Sequence, residues 1–455
     1  MSNLRAILPR DLDRRALWAI YATILAASAV VYSHKAAASG SAIVRWYPQV
    51  RSWYWEGRNI YDKEMFPNPP IFPITLLPFV ALPSPTACAM AWFAFKVALV
   101  TGSALLCFRM AREAGQELPG WAQGLVLLLS LRTFLSDLHH GNNNLLILSL
   151  VVAALAAWRR GYDVLAGVAL GLSIAYKVTP ALFLPYFLYK RSYRTVAATL
   201  ASIFVFLFVV PSLVLGVRFN LACLEMWFHR ILSPYVVSDF ASQQEINQSM
   251  VGVLTRLLTQ APPAVEASRY NQQFDVNFVS WSPKLVVPAI KVLSVGVLAL
   301  LAVFCRTKTR RRDDARLLGE FSLVVLTMLF VSERSWKHHY VTLLLPYTYL
   351  VARFAIGGLS RRERRLVAVS LLASVVLMGT TSDAIGGLFA HHKGHKYALA
   401  YGMFFWAGLS LYVATAWRVV VEGRRADAMA AADTFPAPHR RDRRPRLPRP
   451  SIPSV

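Results

Sequence analysis

Apolar stretches recur along almost the whole chain, and that repetition decides the solvent before any other feature is read. They cover 16–33, 86–108, 121–136, 144–158, 163–176, 179–189, 195–215, 285–305, 317–332, 340–356, 366–381 and 397–417. A helix needs about 20 predominantly apolar residues to cross a bilayer, so the pattern predicts an all-α polytopic membrane protein with about 12 transmembrane helices. The stretches 121–136, 144–158 and 163–176 are short for a crossing, and 179–189 is compatible with a re-entrant segment. Composition fits the same solvent. Hydrophobic residues make up 56% of the 455 and charged residues only 16%, against about 25% charged in soluble domains. A net charge of +25 then reads as a topology signal and not as a nucleic-acid footprint. Cys88, Cys107, Cys223 and Cys305 lie far apart without a CxxC pair, so neither a zinc site nor a disulfide framework is expected.

The charges set an orientation. With the N-terminus inside and sides alternating, the inside segments are 1–15, 109–120, 159–162, 190–194, 306–316, 353–365 and 418–455. They hold 31 of the 49 Lys and Arg residues, although the outside loops are far longer. Excess Lys and Arg mark cytoplasmic loops, and an even number of spans puts both termini in the cytoplasm. The opening resembles a signal peptide, with Arg10, Arg14 and Arg15 before an apolar run and Ala36, Ala37 and Ala38 after it. Its length and the parity of the charge map favour an uncleaved first helix. A membrane domain is expected over 1–420, followed by a basic, disordered cytoplasmic tail over 421–455, rich in Arg, Pro, Ala and Asp.

Two outside loops are long, 34–85 and 216–284, and the chemistry should lie on their side. The first carries Arg45, five aromatics between Trp46 and Trp55, then Glu56 and Asp62. The aromatics alone fit an interfacial helix. Ser136, Asp137, His139, His140, Asn142, Asn143 and Asn144 crowd the junction between two spans. A helix cap accounts for only part of that cluster, since polar groups at a membrane boundary are costly unless paired. Adjacent histidines point to different sides of a helix, so His139 and His140 are a weak metal signal and no metal or cofactor is expected. Lys177 ends another span three residues before Pro180, where it either snorkels or binds a phosphate as a point charge. The run Ser332–Tyr340 holds Glu333, Arg334, Trp336, Lys337, His338 and His339 between two spans, more polar groups than a tight turn needs. Gln243 to Ser249 is rich in amides, which suit either sugar hydroxyls or a turn.

Taken together, Gly141-Asn142-Asn143-Asn144, Gly167…Gly171…Lys177-Val178-Thr179-Pro180 and Tyr189-Lys190-Arg191 resemble the DUF2029 / glycosyltransferase family 87 pattern. Asn247-Gln248-Ser249 with Gly252 and Arg256, Ser335-Trp336 with His338-His339, and Gly57 to Tyr61 with Pro69-Pro70 match in order. The resemblance implies a GT-C membrane glycosyltransferase that takes a sugar, mannose in the best-known members, from a polyprenyl-phosphate donor to a lipid or glycan acceptor outside a bacterial cytoplasmic membrane. It implies an inverting displacement in which a base deprotonates the acceptor hydroxyl. The family places an Asp early in the first outer loop for that purpose, whereas Ile43 to Tyr47 here contains no acid.

The expected roles follow. Asp137 ranks first as base, with Asp62 and Glu56 next and Glu245 and Glu333 as outsiders. His338 and His339 bind or protonate the phosphate. Lys177, Arg45, Arg334 and Lys337 neutralise it, and Asn142, Asn144, Asn247, Gln248 and Trp336 contact the substrates. The competing reading is a transporter or flippase of a lipid-linked glycan, which should gather charged groups near the midplane in repeated halves. Lys96 and Lys291 lie within spans without a partner evident from sequence, and no repeat is visible.

Overall fold

In a computed structural model the chain folds as a helical bundle over the residues described, which are 14–63, 66–112, 116–234, 244–260, 275–390 and 393–434. Every predicted apolar stretch is helical. The helices are α1 (Arg14–Ala37), α2 (Ala42–Trp55), α3 (Ile71–Val80), α4 (Pro85–Met110), α5 (Gly120–His140), α6 (Asn144–Arg159), α7 (Asp163–Tyr176), α8 (Phe183–Tyr189) and α9 (Tyr193–Leu215). They continue as α10 (Val217–Trp227), α11 (Met250–Leu258), α12 (Pro283–Phe304), α13 (Arg316–Val331), α14 (Leu344–Ile356), α15 (Arg361–Thr380), α16 (Gly394–Ala400) and α17 (Met403–Thr434). Five of them, α1, α4, α9, α12 and α17, contain segments long and apolar enough to cross a bilayer. The stretch 179–189 is the 3-10 turn Thr179–Leu182 followed by the seven residues of α8. The last helix runs past 421 to Thr434, so the expected tail begins later than its composition suggested. Positions 435–455 and Gln243 lie outside the described residues.

Burial explains why some helices are short. Every residue of α13 from Arg316 to Phe330 is buried, and so is every residue of α14 from Leu344 to Arg353. A helix apolar on all sides belongs in the interior. Around this pair, α9 and α12 keep only about a fifth of their apolar windows buried, 17% and 22%, and present the rest outward. Among the described residues the two long loops carry α2, α3, α10 and α11. On α2, Trp46 and Trp53 point into the core, while Tyr54 and Trp55 stay exposed.

The site-bearing helix α7 is held by close packing. A Cβ on Gly167 would lie 2.5 Å from the Cβ of Ala198, and one on Gly171 2.5 Å from the Cβ of Ser202. Small residues four apart let α7 and α9 approach backbone to backbone, as membrane helices do where apolar contact with lipid offers no competing drive. The Gly167…Gly171 motif is thus a packing device that fixes where Lys177 emerges.

The bundle has two unlike ends. Lys190 donates to the carbonyls of Cys305 and Thr307, and Arg159 donates to those of Arg312 and Asp313. Arg353 and Arg418 meet at Glu422. The short basic segments therefore gather at one end, here the basic end. The polar clusters around 137–144, 177 and 332–339 gather at the other, the loop end.

Candidate active site

The loop-end cleft is assembled from three segments that the sequence separates. Helix α5 ends in Asp137–His140 and is capped by Gly141, whose φ of +78° is left-handed. That conformation suits glycine and stops the helix. A Cβ there would also meet the Ser41 hydroxyl at 2.3 Å. The sharp stop brings Asn142–Asn144 back across the helix end. Lys177 follows the last residue of α7, and Ser332–His339 joins α13 to the 3-10 turn Lys337–Leu343. Asn144, Ile147, Lys177, Thr179, Ser332, Ser335 and His339 line a cleft of about 380 Å³, counted to its open side, together with apolar residues of α13. Lys177 and the 332–339 loop thus share one cavity.

Hydrogen bonding fixes the chemistry of its walls. Lys177 Nζ donates to Asn144 Oδ1 at 3.0 Å. Burial pulls its ammonium down to about 7, against the opposing pull of the Asp137 charge. His339 Nδ1 accepts from the Trp336 backbone N–H at 3.1 Å. Burial first, and the Lys177 charge second, hold His339 well below its ordinary range. A neutral imidazole that accepts at Nδ1 carries its proton on Nε2, so His339 offers a neutral N–H donor. His338 is likewise pushed down, by burial and then by the neighbouring histidines. Its Nε2 lies 3.2 Å from Asn142 Nδ2, and its ring is 4.4 Å from His140. The Trp336 ring lies parallel to His339, at 6.3 Å, and its buried Nε1 has no protein partner.

Several expected residues sit elsewhere. Asp137 is 0% exposed. Its oxygens accept from Lys96 Nζ at 3.2 Å, Asn144 Nδ2 at 2.9 Å and the Leu145 N–H at 3.4 Å. The carboxylate expected first as base is thus enclosed by these donors and does not line the cleft. Lys96 has a partner after all, and the clue was its position inside an apolar helix, where a lone charge is costly.

Asn247 and Gln248 are also fully buried. Asn247 donates to the Glu333 carbonyl at 3.0 Å and accepts from the Ser335 N–H at 3.0 Å. Gln248 donates to the carbonyls of Glu245 and Leu399 at 2.7 Å each and accepts from the Phe404 N–H at 3.3 Å. They brace the 332–339 loop from behind, and their burial leaves no face for substrate.

The remaining candidates do not line the cleft. Glu56 pairs with Arg58 at 3.1 Å, both exposed. Asp62 is exposed and lies 3.9 Å from Arg230. Its neighbour Tyr61 donates to the Asn68 carbonyl, and Asn68 donates to the Tyr176 carbonyl at 2.9 Å. That chain ties the Asp62 segment to the residue before Lys177. Arg45 and Lys337 are exposed, close enough to Lys35 that all three repel, and make no ion pair among the described residues. The Arg334 guanidinium sits 5.9 Å from the Trp336 ring centre. Glu245 is buried near Arg256, and burial raises Glu333. Among the described residues no carboxylate lines the cleft itself. The described residues hold no cluster of three or more groups arranged for a metal ion.

Comparison with known proteins places this geometry. The family model described as glycosyltransferase family 87 matches residues 66–332, more than half of the chain. The match stops just before the 333–339 loop, which the fold itself brings to Lys177. The polyprenol-phosphate-mannose-dependent alpha-(1-2)-phosphatidylinositol mannoside mannosyltransferase of Mycolicibacterium smegmatis is 26% identical over 330 residues, 68% of this chain and 67% of that protein. Its namesake in Mycobacterium tuberculosis is 27% identical over 332 residues, 70% of this chain and 67% of the relative. Two crystal structures of ArnT from Cupriavidus metallidurans align over 91% of this chain. The apo form does so at 14% identity and a TM-score of 0.37, covering 79% of that chain. The form bound to undecaprenyl phosphate gives 15% and 0.38, covering 80%.

Proposed function

We propose, from the premise that this chain belongs to glycosyltransferase family 87, that it moves a hexosyl group from a polyprenyl-phosphate carrier to a lipid or glycan acceptor. Mannose is the sugar on the donor for which the relatives are named. One observation carries the reading: Lys177 and His339 line the same cleft without a carboxylate between them. A leaving phosphate gathers negative charge as its bond to the anomeric carbon breaks. A cationic donor and a neutral N–H already aimed into a half-closed cleft stabilise that charge without reorganising.

The displacement is inverting. The acceptor oxygen attacks the anomeric carbon, the carbon–oxygen bond to phosphate breaks, and polyprenyl phosphate leaves with the electron pair. The acceptor proton passes to Asp62, an exposed first-loop carboxylate whose segment is tied to Tyr176. Trp336, through its ring, and Asn142 beside His338 contact the sugar. Arg45, Arg334 and Lys337 add positive potential at the rim.

The protein is a multi-pass membrane protein, and its loop end faces outward from a bacterial cytoplasmic membrane with both termini in the cytoplasm. The clustering of short basic segments at the opposite end supports this orientation, and about 12 crossings fit it. Helix α7, with 14 residues, is about 21 Å long against about 30 Å of hydrocarbon. Lys177 therefore lies recessed, at a depth that a membrane-bound carrier phosphate reaches from the side.

The test is to incubate the purified protein with several polyprenyl-phosphate sugars and assay release of polyprenyl phosphate. Asp62→Asn should lower turnover by about 10²–10⁴-fold, the range for a general base, with donor binding retained. Full turnover in that variant removes Asp62 as the base. Passage of intact donor across a vesicle membrane without cleavage would replace the transferase with the flippase.

A further inference from the structure

Behind the cleft lies a buried ion pair that the displacement does not use. Lys96 and Asp137 are both 0% exposed. Lys96 Nζ contacts Asp137 twice, donating to its main-chain carbonyl at 2.7 Å and to Oδ2 at 3.2 Å. On the other side Asp137 Oδ1 accepts from Asn144 Nδ2 at 2.9 Å, while Asn144 Oδ1 accepts from Lys177 Nζ at 3.0 Å. The amide has one workable orientation here. Flipped, its oxygen would face a carboxylate and its NH2 an ammonium. The four side chains, from α4, α5, α6 and the end of α7, form a single polar chain running from the interior of the bundle into the cleft.

We propose that Asp137 is a positioning residue: acting through Asn144 it holds the Lys177 ammonium in the cleft, while Lys96 occupies its other oxygen in the apolar interior. This rests on the reading of Lys177 as a ligand of the donor phosphate. A purely structural pair has no need of the arrangement, since well-packed apolar residues generally replace a buried ion pair at no loss of stability. The order of the contacts is what matters. Lys96 takes Oδ2 and the main-chain oxygen, so Lys177 cannot collapse onto the carboxylate and reaches it only through the amide. One N–H of Lys177 is then engaged by Asn144, and its other two are directed to a ligand. The charged and titratable groups facing Lys177 are Asp137 from α5 and His338 and His339 from the 3-10 turn. Asp137 alone favours its charged form.

The experiment measures binding of a short-chain prenyl-phosphate-mannose, whose phosphodiester keeps one negative charge throughout, between pH 5.5 and 8.5. It uses the full-length protein as wild type, Lys177→Arg, Asp137→Asn and the double variant Lys96→Met/Asp137→Asn. The double variant removes both buried charges together and so keeps a folded protein available if Asp137→Asn strands Lys96. Wild-type binding should weaken as the pH rises through about 7, and Lys177→Arg should flatten that profile. In the double variant the midpoint should move down by about one pH unit, which makes binding about tenfold weaker at pH 7.5 and nearly unchanged at pH 5.5. A folded double variant with the wild-type midpoint and affinity would overturn the positioning role, leaving Asp137 as packing alone. A wild-type profile that Lys177→Arg does not change would overturn the phosphate reading of Lys177 and the positioning role with it.

Discussion

The two ends of this bundle treat positive charge in opposite ways. At the basic end each buried cation is answered by a carboxylate. Lys190 pairs with Glu320 at 2.8 Å, and Arg316 pairs with the same Glu320. Arg312 pairs with Asp163 at 2.7 Å, and Arg418 with Glu422 at 2.8 Å and with Glu363. Tyr186 donates to Glu320 at 2.8 Å and completes its shell. At the loop end the balance is missing. Asp137 and Glu245 are buried there, Asp137 already serves Lys96 and Glu245 lies by Arg256, and Lys177 is left with a neutral amide oxygen. A buried charge without a counter-charge costs stability. On the proposed reading an anionic ligand supplies the missing charge at the loop end, whereas the basic end neutralises itself.

This contrast can be broken at either end. The largest effect should come from Glu320→Gln, which strands Lys190 and Arg316 in the interior. Breaking a buried pair costs about 3–5 kcal/mol, read as a drop in the thermal midpoint in detergent, and the fraction that remains folded should bind donor normally. Weakened donor binding in that fraction would mean the two ends are coupled.

Lys177→Met should do the reverse. Loss of a preorganised donor to a developing charge lowers turnover by about 10²–10³-fold, while the thermal midpoint holds or rises, because a charge held without a counter-charge has been removed. A large fall in stability would place Lys177 with the structural cations of the basic end.

A smaller effect follows from its titration. Lys177 is pulled down to about 7 by burial, so it is cationic below that pH and neutral above it. Donor affinity should be full below pH 6 and fall by up to about tenfold per unit above 7, as measured by equilibrium binding across the range. A flat profile would mean that donor binding is not linked to the titration of Lys177, which would remove it as a ligand of the phosphate.

Smallest of all is Glu56→Gln. Glu56 and Arg58 form an exposed surface pair, and such pairs contribute about 0–1 kcal/mol. Turnover and thermal midpoint should both match wild type, and a loss of turnover would bring Glu56 back as the base in place of Asp62.

The amino-acid sequence by itself determined the solvent and the helical class, and it marked the polar clusters. Hydropathy adds up locally, so the spans, the basic segments, Lys177 and the Ser332–His339 run could be read off the chain in order. Partners could not, because they depend on how far each helix is rotated and how deeply it is set against others. Asp137 looks like a free acid beside polar neighbours until α4 brings Lys96 to it from 41 residues away. Asn247 and Gln248 look like sugar ligands until the fold turns them inward beneath the loop at 333–335. The last helix continues to Thr434 although its composition turns polar near 421. There Arg418 and Glu422 lie one turn apart and share an ion-pair network with Glu363 and Arg353. Tertiary structure decided these points because a charge in a low-dielectric interior is governed by what stands within a few ångströms of it, and linear spacing does not record that distance.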